Sequence, residues 1–353
     1  MKAIYFILLC LLPALLVAQT EKEKEARELC ITAIEKMDNG EVDESILLLK
    51  KAQKLDPNNL AYKSAMGFAY TLKKDYKKAI SILKKVVNDK NTFPRAYQLL
   101  GNSYDYNGQP EVAIKTYEDG LKKFPNSGEL YLERGNMELA KEAYNNALDY
   151  YVQGTLKAPE FPSNYFWCAR IYMGSEERYL GFIYGELFMN LERGSKRTEQ
   201  ISKELYFTYE KAITITSDSS MSVDVTSDKI VVNDVENFKL PYGLMVYAPV
   251  FSISCAFVKN ISIESLMNTR STFLEQYYEM GHYEKYPIVL FDYQKKIEEE
   301  GHFEAYNYWL LMKGNEREFD TWLEENETKW SEFIKWYKEN PIEITEETRF
   351  VQP

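Results

Sequence analysis

Cysteine and histidine are scarce in this sequence of 353 residues, which has four cysteines and two histidines. Cys10 lies in an apolar run at the start, so the rest of the chain keeps Cys30, Cys168 and Cys255, far apart from one another. An odd number of widely separated cysteines does not provide the framework of a disulfide-stapled domain. Because all three have apolar neighbours, we expect them to pack as small hydrophobic residues.

The sequence also has fewer basic than acidic residues. The chain has 43 lysines and arginines against 54 aspartates and glutamates, which gives a net charge of −11. A protein of this charge is repelled by phosphate backbones, so we expect no nucleic-acid partner. The charges are spread along the chain, which favours solubility over a charged binding tail.

The sequence also lacks the short motifs of catalytic and phosphate-binding sites: it has no phosphate-cradling glycine loop, no Gly-x-Ser-x-Gly and no His-Glu-x-x-His. The two histidines follow glycines, in Gly281-His282-Tyr283-Glu284 and Gly301-His302-Phe303-Glu304. A histidine and a glutamate together can bind a metal, but no third ligand lies nearby, and such sequences are typical of a turn that starts a helix. We therefore predict no catalytic residues, no metal site and no cofactor. An accidental pair of catalytic carboxylates stays open as an alternative.

The first eighteen residues predict a secretory signal peptide. Lys2 precedes the apolar run from Ile4 to Val17, Ala18 precedes Gln19, and charge begins at Glu21, which is the layout of a cleaved signal. A retained membrane anchor is the alternative, but the run is shorter than the roughly 20 residues of a spanning helix. We therefore expect the chain to be secreted across the inner membrane and to be periplasmic or envelope-associated.

A period of 34 residues runs through the first half of the chain. It relates Gly67, Gly101 and Gly135, then Ala79, Ala113 and Ala147, and it also contains Pro57, Pro125 and Pro159. Small residues let two helices approach closely, glycines such as Gly40 and Gly108 end a helix in the left-handed conformation, and proline stops the next helix. The period predicts helical hairpins, and because one hairpin cannot bury its apolar face alone, the hairpins must stack.

The third repeat closely resembles the tetratricopeptide repeat (TPR) pattern in Tyr97, Leu100, Gly101, Tyr104, Ala113, Tyr117, Gly120 and Pro125. Four repeats cover residues 26–159, and a fifth is indicated by Tyr165, Cys168, Ala169 and Tyr172, with a second helix from about Glu177 to Arg193. The resemblance implies an all-α protein in which residues 21–193 form a TPR α-solenoid of about five helical hairpins. The chain is also similar to secreted TPR proteins of Bacteroidetes.

The resemblance further implies a concave groove, lined by the first helix of each hairpin, that holds a protein or peptide. The residues predicted to face the groove are Arg95, Gln98, Asn102, Tyr106, Leu132, Asn136, Phe166 and Arg170. Asn102 and Asn136 occupy equivalent positions of two repeats, and a ladder of asparagines can bond the backbone of an extended peptide. Ordinary solvated side chains are the alternative at each position.

Residues 194–353 are predicted to form a helical C-terminal region in which 216–239 is irregular or a short β-like insertion. An amphipathic helix is expected from Ser195 to Ile215, and Ser220–Val225 with Lys229–Val232 suggest a short hairpin. The other predicted helices lie near 262–279, 285–299, 302–313, 315–325 and 327–339.

The run from Leu240 to Val258 has no charged residue. A membrane span is one interpretation, but Pro241 and Pro249 interrupt the run, so we predict a buried segment and no transmembrane span. After it the sequence is rich in aromatic residues, which favour a core stripe over a ligand platform.

The sequence therefore predicts a non-enzymatic scaffold or adaptor of the bacterial cell envelope that binds a protein or peptide. The alternative is a protein of the same compartment that binds a glycan or another small ligand through C-terminal aromatic residues such as Trp309 and Trp330.

Overall fold

The computed structural model describes residues 21–217, 220–227 and 241–353, so the predicted signal peptide at 1–18 lies outside the described residues. Within these ranges the chain is helical apart from one two-stranded hairpin, which confirms the predicted fold class. The chain divides into two compact units at Ala143/Tyr144, which we call the N-terminal unit and the C-terminal unit. The domain boundary predicted at 193/194 stays a prediction.

The described part of the N-terminal unit consists of seven helices: α1 (Glu21–Asp38), α2 (Val42–Leu55), α3 (Leu60–Leu72), α4 (Tyr76–Val87), α5 (Pro94–Tyr106), α6 (Pro110–Lys123) and α7 (Gly128–Leu139). Helices α1 and α2, α3 and α4, and α5 and α6 pack as hairpins. The second helix of each hairpin packs on the first helix of the next, and the first helices α1, α3, α5 and α7 pack in series. The hairpins therefore stack, as the 34-residue period predicts.

Glycines at two kinds of position explain why these residues form hairpins. Gly40 and Gly108 have φ values of +83° and +75°, in the left-handed region where glycine carries no steric cost. A Cβ atom on Gly101 would lie 2.1 Å from the ring of Tyr117, so only glycine lets α5 and α6 pack this closely. Gly67 and Leu83 form the same contact in the preceding hairpin.

Among the described residues, the cysteines Cys30, Cys168 and Cys255 are free and buried, as the sequence predicts. Burial raises the pKa of Cys30 to about 11 and that of Cys255 to about 12. Burial raises the pKa of Cys168 well above its ordinary value, too. These thiols are therefore core side chains in their neutral form.

The described part of the C-terminal unit begins with α8 (Tyr144–Lys157), α9 (Pro162–Met173), α10 (Arg178–Leu191) and α11 (Lys196–Ala212). Helices α9 and α10 form the predicted fifth hairpin. Helix α11 packs on both α9 and α10, as the first helix of a following repeat would. Ser195 caps it, since its Oγ accepts from the backbone N–H of Thr198. The repeat packing thus continues for one helix beyond the point where the sequence period ends.

The predicted helix 195–215 is wrong at its end. Helix α11 stops at Ala212, and strand β1 (Ile213–Ser217) pairs antiparallel with β2 (Ser220–Val223). Consecutive β-branched residues, from Ile213 to Thr216, favour the extended conformation. The hairpin partner of Ser220–Val223 therefore precedes it in the chain. The suggested partner Lys229–Val232 lies outside the described residues.

The uncharged run folds as a π-helix (Gly243–Tyr247) that continues into α12 (Ala248–Ser254). Its side chains Tyr242, Tyr247 and Phe251 are buried in the C-terminal unit. Among the described residues, no helix has the length and apolarity that crossing a membrane requires. The predicted buried segment is therefore only partly buried, since Met245, Ile253 and Phe257 are exposed.

The remaining helices follow the predicted ranges closely, with one interruption. Tyr286 and Pro287 separate a short helix at His282 from the next helix, because the residue before a proline is biased away from the helical conformation. The helix predicted at 285–299 therefore starts only at Val289. The observed elements are α13 (Ile263–Glu279), α14 (His282–Lys285), α15 (Val289–Glu299), α16 (Phe303–Leu311), α17 (Glu316–Glu325) and α18 (Glu327–Glu339).

Candidate functional site

A cluster of polar side chains joins the first helices α5 and α7 of the N-terminal unit, with Glu133 at its centre. The Gln98 amide donates to Glu133 Oε1 at 2.6 Å, and the Asn102 amide donates to the same oxygen at 3.3 Å. The Asn136 amide donates to Glu133 Oε2 at 3.2 Å. Arg95 Nη1 donates to Gln98 Oε1 at 2.5 Å. The structure therefore brings Arg95, Gln98, Asn102 and Asn136 together, and Gln98 is buried, with 6% of its surface accessible. We call these five residues the Glu133 cluster.

The charges of the Glu133 cluster are partly shielded from water. Burial lowers the pKa of the Arg95 guanidinium, while the carboxylates of Glu129 and Glu133 act in the opposite direction. Tyr117 donates to Asn102 Oδ1 at 2.5 Å, and burial raises the pKa of this tyrosine well above its ordinary range. The cluster presents one carboxylate and one guanidinium, held by neutral amides.

Asn102 and Asn136 share Glu133 as a hydrogen-bond partner, a feature that the predicted asparagine ladder does not include. Both side chains are half-buried. A peptide backbone that bonds to them has to add to these hydrogen bonds or replace them. Their role as a ladder stays a prediction.

Tyr106 is the most exposed of the predicted residues, with 60% of its surface accessible. It lies at the end of α5, and its ring centroid is 5.9 Å from that of Tyr76. Tyr106 follows Asn102 by four residues on α5, so the two side chains are neighbours on one face of the helix. Burial and the Glu133 carboxylate raise the pKa of its hydroxyl. Leu132, on α7, is half-buried. An exposed aromatic ring beside a polar cluster is a suitable anchor for a partner.

In the C-terminal unit, Phe166 is buried rather than exposed to a partner, with 5% of its surface accessible. The guanidinium of Arg170 lies 5.5 Å from its ring centroid, and that of Arg197 lies 5.1 Å from it. Arg170 is about one-third exposed and pairs with Glu204, whose carboxylate oxygens both lie 3.3 Å from Arg170 Nε. Phe166 therefore supports two arginines, and Arg170 presents the charge.

Two residues of α11, Arg197 and Glu204, complete the surface around Arg170. Neither was predicted from the sequence. Arg170 and Glu204 are 34 positions apart, as are Ser163 and Arg197, whose Nη1 donates to the serine Oγ at 3.0 Å. Extending the period by one repeat would have identified both partners. Arg170 and Glu204 border an open depression of about 500 Å³, which is also lined by Met173, Gly174, Gln200, Lys203, Phe207, Thr208 and Lys211.

A buried ion pair lies in the interior of the C-terminal unit. Arg270 Nη1 and Nη2 donate to the two oxygens of Glu186 at 2.8 and 2.7 Å, and both side chains are nearly inaccessible to solvent. Burial opposes the charge of Arg270, but the Glu186 carboxylate prevails and raises the pKa of the guanidinium well above its ordinary value. Neither residue was singled out from the sequence, since they are 84 positions apart and no period relates them.

Neutral hydrogen-bonding groups surround the ion pair. Gln294 and Tyr306 each donate to Glu186 Oε1 at 2.7 Å, and Arg270 Nε donates to Asn307 Oδ1 at 2.5 Å. An adjacent cavity has a volume of about 20 Å³, enough for about one water molecule. The ion pair with its partners, which we call the Glu186 network, therefore links helices of the unit and leaves no room for a substrate.

The histidines and tryptophans occupy structural positions. Gly281 and Gly301 have φ values of +72° and +76°, so each histidine follows a left-handed turn. The His302 ring packs against Trp336, and Trp309 is buried, with 6% of its surface accessible. No group of three metal-binding side chains occurs in residues 21–217, 220–227 and 241–353. Trp309 is therefore not on an exposed platform of the kind that a glycan binder uses.

Family models of the tetratricopeptide repeat match residues 36–103 and 99–163. The chain therefore contains tetratricopeptide repeats within residues 36–163. Nearly all of the fifth hairpin, and the helices after it, lie outside the matched range. A segment of 112 residues is 26% identical to mouse (Mus musculus) tetratricopeptide repeat protein 21B. This segment is 32% of the present chain but only 8% of the mouse protein.

Solved TPR structures resemble about half of the chain. A structure of MamA protein is 22% identical, covers 48% of this chain and 92% of its own, and has a TM-score of 0.35. TTC0263, a thermophilic TPR protein of Thermus thermophilus, is 14% identical and has a TM-score of 0.43. The match covers 51% of this chain and 98% of TTC0263. YrrB, described as a TPR protein with an unusual peptide-binding site, is 16% identical and has a TM-score of 0.33. The match covers 51% of this chain and 96% of YrrB.

Proposed function

We propose that the tetratricopeptide repeats of this chain form a non-enzymatic scaffold that holds a protein or peptide on the face of the first helices. TPR proteins generally bind protein partners, and their repeats typically have no catalytic role. The observation that carries the proposal is the joining of α5 and α7 through the Glu133 cluster beside the exposed ring of Tyr106.

The chemistry of this face suits an extended polypeptide. The half-buried amide side chains of Asn102 and Asn136 offer donors and acceptors to a backbone, and the Glu133 carboxylate attracts a basic side chain or a backbone N–H. Tyr106 offers a flat apolar surface for an anchoring residue. In the C-terminal unit, Arg170 and Glu204 provide a further pair of charges on first-helix positions.

The test compares what the purified chain and its variants capture from envelope extracts after crosslinking. Tyr106→Ala removes an exposed ring and leaves the Glu133 cluster in place, and Tyr144→Ala removes an equally exposed tyrosine elsewhere as a control. We expect the recovery of a specific partner to fall about 10-fold with Tyr106→Ala, which is equivalent to about 1.4 kcal/mol of binding. The control Tyr144→Ala should leave the recovery unchanged. The double variant Asn102→Ala, Asn136→Ala should act in the same direction. An identical bound set for all four proteins would refute the proposed face.

We also infer that the scaffold acts outside the inner membrane of a bacterium. The inference rests on the run Ile4–Val17 and the junction Ala18-Gln19, which have the layout of a signal peptide. N-terminal sequencing of the protein from a periplasmic fraction should start at Gln19. An intact N-terminus in the cytoplasmic fraction would contradict this localisation.

A further inference from the structure

The last residues of the chain lie against the fifth hairpin without forming a helix or strand. Phe350 is 2% exposed, and its ring centroid is 5.2 Å from that of Tyr184 on α10. The side-chain amide of Gln352 donates to the hydroxyl of Tyr172 at 2.7 Å and to that of Tyr184 at 3.1 Å. The hairpin α9–α10 therefore holds an irregular segment through one aromatic and one amide side chain. We call residues 341–353 the tail.

On the hairpin α5–α6 of the N-terminal unit, the position equivalent to the one that the tail occupies on α9–α10 is open to solvent. Helices α5 and α6 begin at Pro94 and Pro110, two repeats of 34 residues before α9 at Pro162 and α10 at Arg178. Tyr97 and Tyr104 are thus equivalent to Tyr165 and Tyr172, and Thr116 is equivalent to Tyr184. At this position lies a recess of about 330 Å³, lined by Lys84, Val87, Asn88, Tyr97, Leu100, Tyr104, Val112, Lys115, Thr116 and Asp119. We call it the hairpin recess.

The size of the hairpin recess suits a bound side chain with part of its backbone, since its volume is at the lower end of ordinary ligand pockets. Thr116 is smaller than the equivalent Tyr184, which leaves extra room. The recess also lies on the opposite side of α5 from Gln98 and Asn102, because successive residues of a helix are about 100° apart. It is therefore a surface distinct from the Glu133 cluster.

The charges in the recess define the chemistry of an occupant. Lys84 and Lys115 provide two cations, and Asp119 provides one carboxylate. The Lys84 ammonium lies 5.7 Å from the ring centroid of Tyr104, so charge and aromatic surface adjoin. An occupant with an aromatic ring and a carboxylate complements both features.

We propose that the hairpin recess binds an irregular segment of a partner polypeptide, with an aromatic side chain beside Tyr97 and Tyr104 and a carboxylate near Lys84 and Lys115. The tail in the C-terminal unit shows an irregular segment held at the equivalent position, with its aromatic ring on Tyr184 and its amide on Tyr172 and Tyr184. Since Thr116 replaces Tyr184 in the hairpin recess, an aromatic side chain there has Tyr97 and Tyr104 as its neighbours. This site goes beyond the proposed groove function, because it uses the other side of the same repeats.

A synthetic peptide of residues 341–353 is a suitable probe, since it contains Phe350 as well as Glu343, Glu346 and Glu347. Its fluorescein conjugate is titrated with the full chain and followed by polarisation. We expect saturable binding that weakens at least 10-fold in Lys84→Glu, Lys115→Glu and with a Phe350→Ala peptide. The variant Lys77→Glu, Lys85→Glu has the same change of charge on exposed lysines outside the recess and should bind as the wild type does. Circular dichroism verifies that all variants fold.

Two further variants of the full chain distinguish binding at the hairpin recess from binding at other sites. A full chain with Phe350→Ala and Gln352→Ala vacates the position on α9–α10, and Tyr106→Ala alters the proposed groove. The proposal predicts that peptide binding to the recess persists in both. It is overturned if the lysine pair has no effect, or if binding appears only when the tail is altered. Self-association of the wild type that requires Phe350 would assign the recess to a second copy and would also overturn it.

Discussion

The N-terminal and C-terminal units are both helical, yet they are stabilised in different ways. The N-terminal unit repeats one contact, in which a small residue of the first helix accepts a large side chain of the second, as in Gly67 with Leu83 and Gly101 with Tyr117. The C-terminal unit contains one such hairpin, α9–α10, together with the Glu186 network, which occurs once. Periodic packing is therefore visible in the sequence, whereas the Glu186 network is not.

The comparison is tested most severely by removing one member of the buried ion pair. Arg270→Met leaves the Glu186 carboxylate buried without its cation, so we expect a loss of about 3–5 kcal/mol in the free energy of unfolding. All five tryptophans lie in the C-terminal unit, so denaturant titration followed by tryptophan fluorescence reports on that unit. The double variant Glu186→Leu, Arg270→Met should regain most of the loss, because no buried charge remains. A loss below about 1 kcal/mol in the single variant would show that the network is not stabilising the unit.

The corresponding test in the N-terminal unit is Gly101→Ala. The added methyl group overlaps the ring of Tyr117, so we expect a loss of about 1–3 kcal/mol from overpacking. Gly174→Ala is the control, since its Cβ would make only ordinary contacts, the nearest at 3.4 Å. Hydrogen exchange of α5 and α6 provides the measurement, and unchanged exchange in Gly101→Ala would contradict the packing account.

The sequence predicts the periodic packing of the N-terminal unit better than the unrepeated contacts of the C-terminal unit. The hairpins, the left-handed glycines and the equivalence of Asn102 and Asn136 all result from the 34-residue period. Glu133 was missed because the equivalent residue of the preceding repeat is Leu99, which gives no indication of a polar role. Contacts between residues far apart in sequence, such as Glu186 with Arg270, have no local pattern from which to infer them.

The end of α11 shows a second kind of limit. Apolar residues at helical spacing, from Ile201 to Ile213, predicted a helix that continues to Ile215, but the β-branched run from Ile213 pairs with Ser220–Val223 instead. Local preference and pairing with a later segment together outweighed the helical pattern. The Glu133 cluster was found only in part for the same reason, since side-chain partners on another helix depend on packing.

Thiol reactivity distinguishes the two units without any substitution. Burial raises the pKa of Cys30 from 9.0 to about 11, so at pH 8 its thiolate fraction is about 100-fold lower than that of an exposed cysteine. We expect slow alkylation of Cys30 in native protein and faster alkylation when the N-terminal unit unfolds. The raised pKa also contributes stability that is present below pH 9 and is lost as the pH rises towards 11. Mass spectrometry quantifies each cysteine, and rapid native alkylation of Cys30 would contradict its buried position.

The smallest expected effect is that of Arg170→Gln in the C-terminal unit. Arg170 and Glu204 are each about one-third exposed, so solvent screens their ion pair, and we expect a loss below about 1 kcal/mol. The Arg170 guanidinium lies 5.4 Å from the ring centroid of Trp167, so the variant should nevertheless alter the native tryptophan emission. A loss comparable with that of Arg270→Met would mean that this surface pair is as important to the unit as the buried one.

Hydrogen exchange measured in parallel on the wild type and Arg270→Met tests the central difference between the units most directly. We predict faster exchange in α10, α13, α15 and α16, which contain the Glu186 network, and unchanged exchange in α1 to α6, where glycine-mediated packing is intact. Equal acceleration throughout both units, or none in α10 and α13, would contradict this account.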